Sequence, residues 1–276
     1  MKKNNILLEL KKTKSFFLKN KISAPEIAII SGSGLSDIKL NIKSQKTFLY
    51  KDIPYFKQPT AQGHVGELVI GKMNNKNVWL FNGRLHYYEG YNMQDIVYPI
   101  RFIKYFGVKN LIITCAVGAI NKKYNVGDVI VIKDHINFMF DNPLIGRNEI
   151  LFGERFPDLT DIYNSNLRKI AVKVAKKSKI KIHEGIYIAT SGPSYETVAE
   201  ISAFSKLGAD VVGMSLVPEA ITAKHMNMKI LALAYISNKA SGLSKTKLSH
   251  KEVLELGKKN SLSISKIILQ VIKEIK

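Results

Sequence analysis

The chain reads as an α/β protein, a single domain whose mixed, mostly parallel central sheet is flanked by helices. Two observations predict this. Short apolar runs that suit buried strands alternate with stretches of helical period from one end to the other. Residues able to hold a ligand gather where those strand runs end, which is where α/β sheets carry their sites. No repeat and no Gly-, Ser- or Pro-rich linker divides the sequence, so residues 1–276 are taken as one unit with a helix in 1–20 and a closing helix in 249–276.

The elements follow in order. Ile6, Leu7, Leu10 and Phe17 give residues 1–20 an amphipathic helical face. Ile27-Ala28-Ile29-Ile30 is a buried-strand run that passes directly into Ser31-Gly32-Ser33-Gly34-Leu35. Residues 50–62, with Pro54 and Pro59, read as irregular, and a strand opens after Gly63-His64-Val65-Gly66. Val78-Trp79-Leu80-Phe81 is a strand that ends in Asn82-Gly83-Arg84-Leu85-His86. A helical period covers 94–106, and strands cover 111–119 and 129–132. A long loop spans 142–157, and a helix with a basic outer face spans 163–177.

The next strand, Ile186-Tyr187-Ile188-Ala189, is stopped by Gly192-Pro193. Thr197 and Glu200 have the form of a capping box, so a helix begins there and leaves Tyr195 and Glu196 at the strand-to-helix corner. Residues 211–217 run into Pro218, which fits the first turn of a helix over 219–226. A last strand over 229–236 ends in Ser237-Asn238-Lys239, and Ser249 with Glu252 forms a second capping box, with His250 in its first turn.

Composition bounds the function. A hydrophobic content of 46% with 9% aromatics is that of a globular chain. No apolar run approaches the roughly 20 residues that span a bilayer, and the N-terminus lacks the form of a secretory signal. One cysteine, Cys115, leaves no internal disulfide and disfavours a cysteine-ligated metal site. Together these point to a cytoplasmic protein without a membrane partner. The net charge of +20 raises a nucleic-acid partner, but the lysines are dispersed. Their short cluster over 173–181 has no interleaved aromatics and lies on a helix face, so no nucleic-acid partner is expected; the same field would favour an anionic small substrate.

The strand exits carry the chemistry. Glycines at 32 and 34 let backbone N–H groups approach an anion, and Ser33 adds a hydroxyl. Arg84 offers a rigid fork for phosphate oxygens, and His86, two residues on, faces the same way; Glu89 suits a supporting role, holding these basic groups in place instead of meeting a ligand. Ser215 and Met214 precede a helix N-terminus, which also favours an anion. Tyr195 and Glu196 pair an aromatic face with a carboxylate, which suits a flat heterocycle with ring N–H groups. Each motif alone is ordinary, and a lone histidine such as His64 is more often structural; their convergence on strand exits is the stronger signal.

In number and order these motifs resemble the purine nucleoside phosphorylases of the trimeric class, the family that also contains methylthioadenosine phosphorylase. The pieces are Ser31-Gly32-Ser33-Gly34-Leu35, Gly63-His64-Val65-Gly66, Gly83-Arg84-Leu85-His86-Tyr87-Tyr88-Glu89-Gly90-Tyr91, Asp134-His135-Ile136-Asn137, Gly192-Pro193-Ser194-Tyr195-Glu196-Thr197, Val212-Gly213-Met214-Ser215, Ser237-Asn238-Lys239 and Ser249-His250-Lys251-Glu252. The resemblance runs from residue 22 to the C-terminal helix.

It implies phosphorolysis of inosine, guanosine and their 2′-deoxy forms to a free base and a pentose 1-phosphate. No metal or cofactor is implied, inorganic phosphate being the co-substrate. Ser33, Arg84, His86, Ser215 and the backbone N–H of Ala116 would hold phosphate, with His64 closing over it. Glu196 and Asn238 would bind the purine, with Tyr195 against its face. Tyr88, Met214 and His250 would contact the ribose. Phe156 would reach the sugar of a neighbouring subunit in a homotrimer. Glu196, Asn238 and His86 would carry the catalysis.

The alternative is a methylthioadenosine phosphorylase. That branch typically has aspartate in place of Asn238 and a small apolar residue in place of His250, so both residues favour 6-oxopurines. Four positions depart from the resemblance. Cys115, Val117 and Ala119 stand where Asn, Ala and Gly are usual, and Leu216 stands for Thr. The added bulk of Val117 and Ala119 is expected beside the base pocket.

Overall fold

The computed structural model describes residues 6–244 and 250–275. The chain opens on helix α1 (Ile6–Lys19) and strand β1 (Ile27–Ser31). Strands β2 (Lys43–Leu49), β3 (Glu67–Met73) and β4 (Lys76–Asn82) follow, then helix α2 (Met93–Phe106) and strands β5 (Asn110–Ala119) and β6 (Val129–Asn137). Helix α3 (Ser165–Lys177) leads to β7 (Ile182–Ala189), α4 (Val198–Lys206), β8 (Val211–Gly213) and α5 (Val217–His225). Strand β9 (Lys229–Lys239) and helix α6 (His250–Glu274) complete the order.

The strands form one sheet in the order β2-β3-β4-β1-β5-β8-β7-β6-β9, with β9 also paired to β5. The circuit β5–β8–β7–β6–β9 therefore closes on itself, and β1, β4, β3 and β2 extend from it as an open wing. Among the described residues, five pairings are parallel (β1–β4, β1–β5, β5–β9, β6–β7, β7–β8) and four antiparallel. This agrees with the mixed, mostly parallel sheet expected.

Side chains of β1 show why the sheet is buried on both faces. Ala28 and Ile30 join one core, with Leu10 and Phe17 of α1, Val97 and Ile100 of α2 and Ala220 and Ile221 of α5. Ile27 and Ile29 point the other way, to Leu167 and Ala171 of α3 and Ile264, Ile268 and Val271 of α6. Successive strand residues face opposite sides, so an unbroken apolar run is what a strand covered by helices on both faces requires. Helix α4 packs Ile201 and Phe204 on a smaller cluster with Ile188 and Val212.

Several elements differ from the sequence reading. Strand β2 lies in a segment to which that reading assigns no element. Its sequence KSQKTFL is largely polar, and its pairing with β3 is irregular between Lys43 and Lys46, which obscures the alternation. Strand β6 continues past Ile132 to Asn137. Helix α3 begins at Ser165 instead of residue 163, because the Asn164 side chain caps it by accepting from the Leu167 N–H. Helix α5 begins two residues before the expected start, with Pro218 in its first turn. The capping box of α4 forms as expected, with Thr197 and Glu200 each bonding the other's backbone N–H. The second one falls on Ser249, which lies outside the described residues.

Parallel pairing of β1, β4, β5 and β9 brings their C-terminal ends to one side. Strand β8 runs antiparallel to β5, from Val211 opposite Ala119, so the chain after it travels back along β5. That reversal delivers Met214 and Ser215 to the place where the other strand exits meet.

Candidate active site

The exits line one open cleft. Its lining joins a basic set, Ser33, Arg84, His86, Ala116 and Ser215, to a second set, Tyr195, Glu196 and Asn238, here called its basic end and its other end, with Tyr88 and Met214 also in the lining. Ten of the thirteen expected site residues thus share one cavity. Of the other three, His64 lies at its edge, bonded to Ser33. Phe156 lies apart, on the long loop and 85% exposed. His250 opens α6, and its side chain is outside the described residues.

The basic end is densely wired. Gly32 allows the Ser33 turn to lie against β5, since a Cβ there would stand 2.6 Å from the Thr114 carbonyl oxygen. Arg84 lies two residues past the end of β4 and is 5% exposed. Its Nη2 donates to the Thr114 carbonyl at 2.8 Å, and its Nη1 donates to Ser215 Oγ at 2.9 Å. Its Nε faces Glu219 Oε1 at 3.5 Å, a buried ion pair. Gly83, at φ +117°, leaves room for the 64–66 segment to pack beside Arg84.

The network defines the histidine tautomers. His64 Nδ1 accepts the Arg84 backbone N–H at 3.1 Å, so its proton sits on Nε2 and is donated to Ser33 Oγ at 2.9 Å. The ring of His64 also meets that of His86 edge-on at 4.8 Å. The expected closing histidine is therefore already folded onto Ser33.

His86 Nδ1 and its backbone N–H both donate to Glu89 Oε1, at 3.0 and 2.7 Å. Glu89 Oε2 accepts from Thr60 and Ala61 in the facing loop. The role suggested for Glu89, holding the basic groups in place, is the one its contacts describe. Burial pushes the Glu89 carboxyl up, but its hydrogen bonds from His86 and Thr60 outweigh this and bring it down to about 2. His86 is moved the other way: burial lowers its basicity, the Glu89 bond opposes that, and the Arg84 charge lowers it further. With Nδ1 committed to Glu89, Nε2 is the ring nitrogen left for a ligand.

The other end is sparser. Glu196 follows β7 by seven residues, and its Oε1 accepts from Thr190 Oγ1 at 3.1 Å. Burial raises its pKa, while its own backbone N–H and Thr190 hold it down. Asn238, near the end of β9, accepts from Ser237 Oγ at 2.6 Å and donates to the Lys239 carbonyl at 3.0 Å. Gly118 opposite is closely packed, since a Cβ there would come 3.2 Å from Asn238 Nδ2 and 3.3 Å from Val212 Cγ1. Tyr195 is 41% exposed and Tyr88 stacks on His86 at 4.8 Å. Burial raises the Tyr88 hydroxyl to about 12, so it is a neutral donor.

Other expectations are answered here. Ala119 is fully buried in the core and does not line the cleft, so its bulk is not beside the pocket. Val117 does line it, though almost all of its surface is buried. Lys239 turns away and donates to the carbonyls of Lys122 and Tyr124. His135 bonds Tyr163 through Nδ1 at 2.9 Å and takes no part in the cleft.

Sequence reading did not find Glu219, Thr114 or Thr190 as site residues. Thr114 had a signal, a polar residue inside the apolar run of β5. Glu219 was legible only as a helix-start acid. Among the described residues there is no cluster of metal-ligating side chains.

An anion-sized basic end joined to a polar, aromatic-edged end suits a molecule with both characters, and comparison with known proteins agrees. Residues 26–273 match the family described as the phosphorylase superfamily. Purine nucleoside phosphorylase 1 of Bacillus subtilis is 42% identical, over 95% of this chain and 97% of its own. The rat purine nucleoside phosphorylase is also 42% identical, over 85% and 83%. The Schistosoma mansoni purine nucleoside phosphorylase in complex with adenosine superposes with a TM-score of 0.93 at 35% identity, covering 98% of each chain. Its isoform 2, in complex with cytosine and ribose-1-phosphate, gives 0.91 at 37% identity, over 98% and 97%. By sequence along almost its whole length, and by fold, the chain belongs to the purine nucleoside phosphorylase family.

Proposed function

We propose that this protein catalyses phosphorolysis of 6-oxopurine nucleosides, inosine and guanosine and their 2′-deoxy forms. The carrying observation is that Arg84, His86, Ser33 and Ser215 line the same cleft as Glu196 and Asn238. Phosphate held by the first set attacks C1′ as the C1′–N9 bond breaks. The bond's electron pair leaves with the purine, and the proton of hydrogen phosphate ends on the free base. The sugar becomes cationic in between, beside the bound anion, and the base becomes anionic. Asn238 donates its amide to the N7/O6 edge, where that charge gathers, so the bond strengthens as the reaction proceeds. This requires the Asn238 amide to exchange its bond with the Lys239 carbonyl for one with the base.

Glu196 accepts from N1–H of a 6-oxopurine. Adenine presents a lone pair at N1, and an ionised carboxylate rejects it. Tyr88 and Met214 face the ribose from the middle of the cleft, and His250 is assigned to its 5′ end. Phosphate is the co-substrate, and the reaction calls for no cofactor. The connection between β6 and α3 exposes Phe140, Ile145, Ile150, Leu151 and Phe156, which supports a homotrimer in which Phe156 covers a neighbour's sugar site. No helix among the described residues is long and apolar enough to cross a membrane, in keeping with a cytoplasmic place.

The test is base release from inosine, guanosine, adenosine and methylthioadenosine, with and without phosphate. Phosphate-dependent release from inosine and guanosine alone is expected. Release from methylthioadenosine assigns the chain to the sister activity, and phosphate-independent release overturns the role given to the basic end. Light scattering reads the trimer.

A further inference from the structure

We propose that Glu219 is the internal counter-ion of Arg84, stabilising the arginine in the empty site and limiting how tightly the anion binds. This rests on the assignment of the basic end as the phosphate site. The two side chains are each 4% exposed, and Arg84 is the ion-pair partner of Glu219 among the described residues. Mostly apolar side chains surround them: Ile30, Phe81, Leu85, Ile96 and Ile100 line the small cavity that Arg84 and Glu219 share, with Tyr50 and Lys57 also in its lining. A guanidinium without a counter-charge is costly in such surroundings.

Glu219 acts through charge, not by orienting the arginine. Arg84 is oriented by Thr114 and Ser215, whereas its Nε has no hydrogen-bond partner among the described residues. Nε to Glu219 Oε1 is 3.5 Å, beyond a good hydrogen bond, and Glu219 Oε2 is likewise unbonded. The ionic attraction persists at that distance.

Local backbone explains how the carboxylate comes to sit there. Leu216 is buried at φ +71° and ψ −48°, and the Val217 N–H donates to the Ser215 carbonyl across it at 2.8 Å. This is the strained three-residue turn that non-glycine residues seldom adopt. It ties Ser215, bonded to one nitrogen of the guanidinium, to the first turn of α5, which turns Glu219 onto another. One corner of the chain thus supplies both a hydroxyl to Arg84 and a carboxylate.

The consequence has a definite sign. A phosphate at Arg84 feels the attraction of the guanidinium and the repulsion of Glu219 behind it. Removing the carboxylate's charge tightens the anion, whereas loss of an orienting contact would weaken it. The Glu219→Gln variant separates these, since it keeps the shape and removes only the charge. Inorganic phosphate binding is measured by calorimetry, without nucleoside, in wild type, Glu219→Gln and Glu219→Asp.

The expected order of affinity is Gln tightest, by about tenfold over wild type, with Asp close to wild type because it keeps the charge. Thermal unfolding without phosphate should fall by several degrees in Glu219→Gln, and phosphate should restore more of it than it adds to wild type. Equal or weaker phosphate binding by Glu219→Gln overturns the proposal. If Glu219→Gln cannot be recovered folded, Arg84→Met and the double variant Arg84→Met/Glu219→Met replace it. Greater stability of the double variant than of Arg84→Met supports the counter-ion role, and lower stability overturns it. Failure of wild type to bind phosphate would instead remove the phosphate site itself.

Discussion

The two ends of the cleft are built differently. At the basic end Arg84 is buried and His64, His86 and Ser33 are each bonded to another protein group, so orientation is set before any ligand arrives. At the other end Tyr195 is partly exposed, Glu196 has one side-chain donor, and Asn238 is held by its chain neighbours. A constant partner, phosphate, can be met by a rigid set, because the cost of ordering it is met once in folding. On the proposed reading, a base whose edge differs among nucleosides is read by a few groups, so changing one of them should change which base is accepted. Damage at the basic end should therefore lower turnover of every nucleoside alike, and damage at the other end should redistribute it.

The largest effect is expected for Arg84→Ala. It removes the guanidinium and leaves Glu219 buried without a partner. kcat/KM should fall by about a hundredfold to a thousandfold, equally for inosine and guanosine, with phosphate KM raised. A loss confined to one nucleoside would break the division between the ends.

Next comes Glu196→Gln. The amide donates where the carboxylate accepted, so inosine turnover should fall by about a hundredfold while adenosine turnover rises. Parallel loss of both would show that Glu196 does not read the N1 edge.

A smaller effect is expected for Thr190→Val, which removes the hydroxyl holding Glu196 and so raises the carboxyl's pKa further. N1–H requires the ionised form, so activity on inosine is lost on the acid side as pH falls through that pKa. In the variant this loss should begin at higher pH, with kcat/KM at neutral pH lower by severalfold at most. An unmoved acid limb in the pH profile would separate Thr190 from the acid–base state of the site.

The smallest is Tyr195→Phe. If only the ring face meets the base, kcat/KM should stay within about twofold. A larger loss would reveal a required hydroxyl.

Much of the site was legible in the order of residues. Glycine-bearing strand exits, the Arg84/His86 spacing and the Thr197/Glu200 cap are local patterns, set by the geometry of a few consecutive residues. Glu89, three residues from His86, was legible as a support for the same reason. Thr114 and Glu219 were not, since they are separated from Arg84 by 30 and 135 residues and meet it only when the sheet sets β5 one strand away from β4, across β1, and α5 packs beside α2. Strand β2 was hidden because an edge strand need not be apolar, and Ala119 was assigned to the pocket although it is fully buried in the core beyond the cleft.

By itself the sequence determined the alternation of strands and helices, the helix caps and the kind of chemistry each strand exit offers, because those depend on period and on near neighbours. Tertiary structure alone decided that five strands close into a ring, that β8 runs back along β5 to bring Ser215 to Arg84, and that Glu219 lies behind the guanidinium. Those depend on how distant segments pack. A buried charge finds its partner through the fold, and no spacing along the chain announces it.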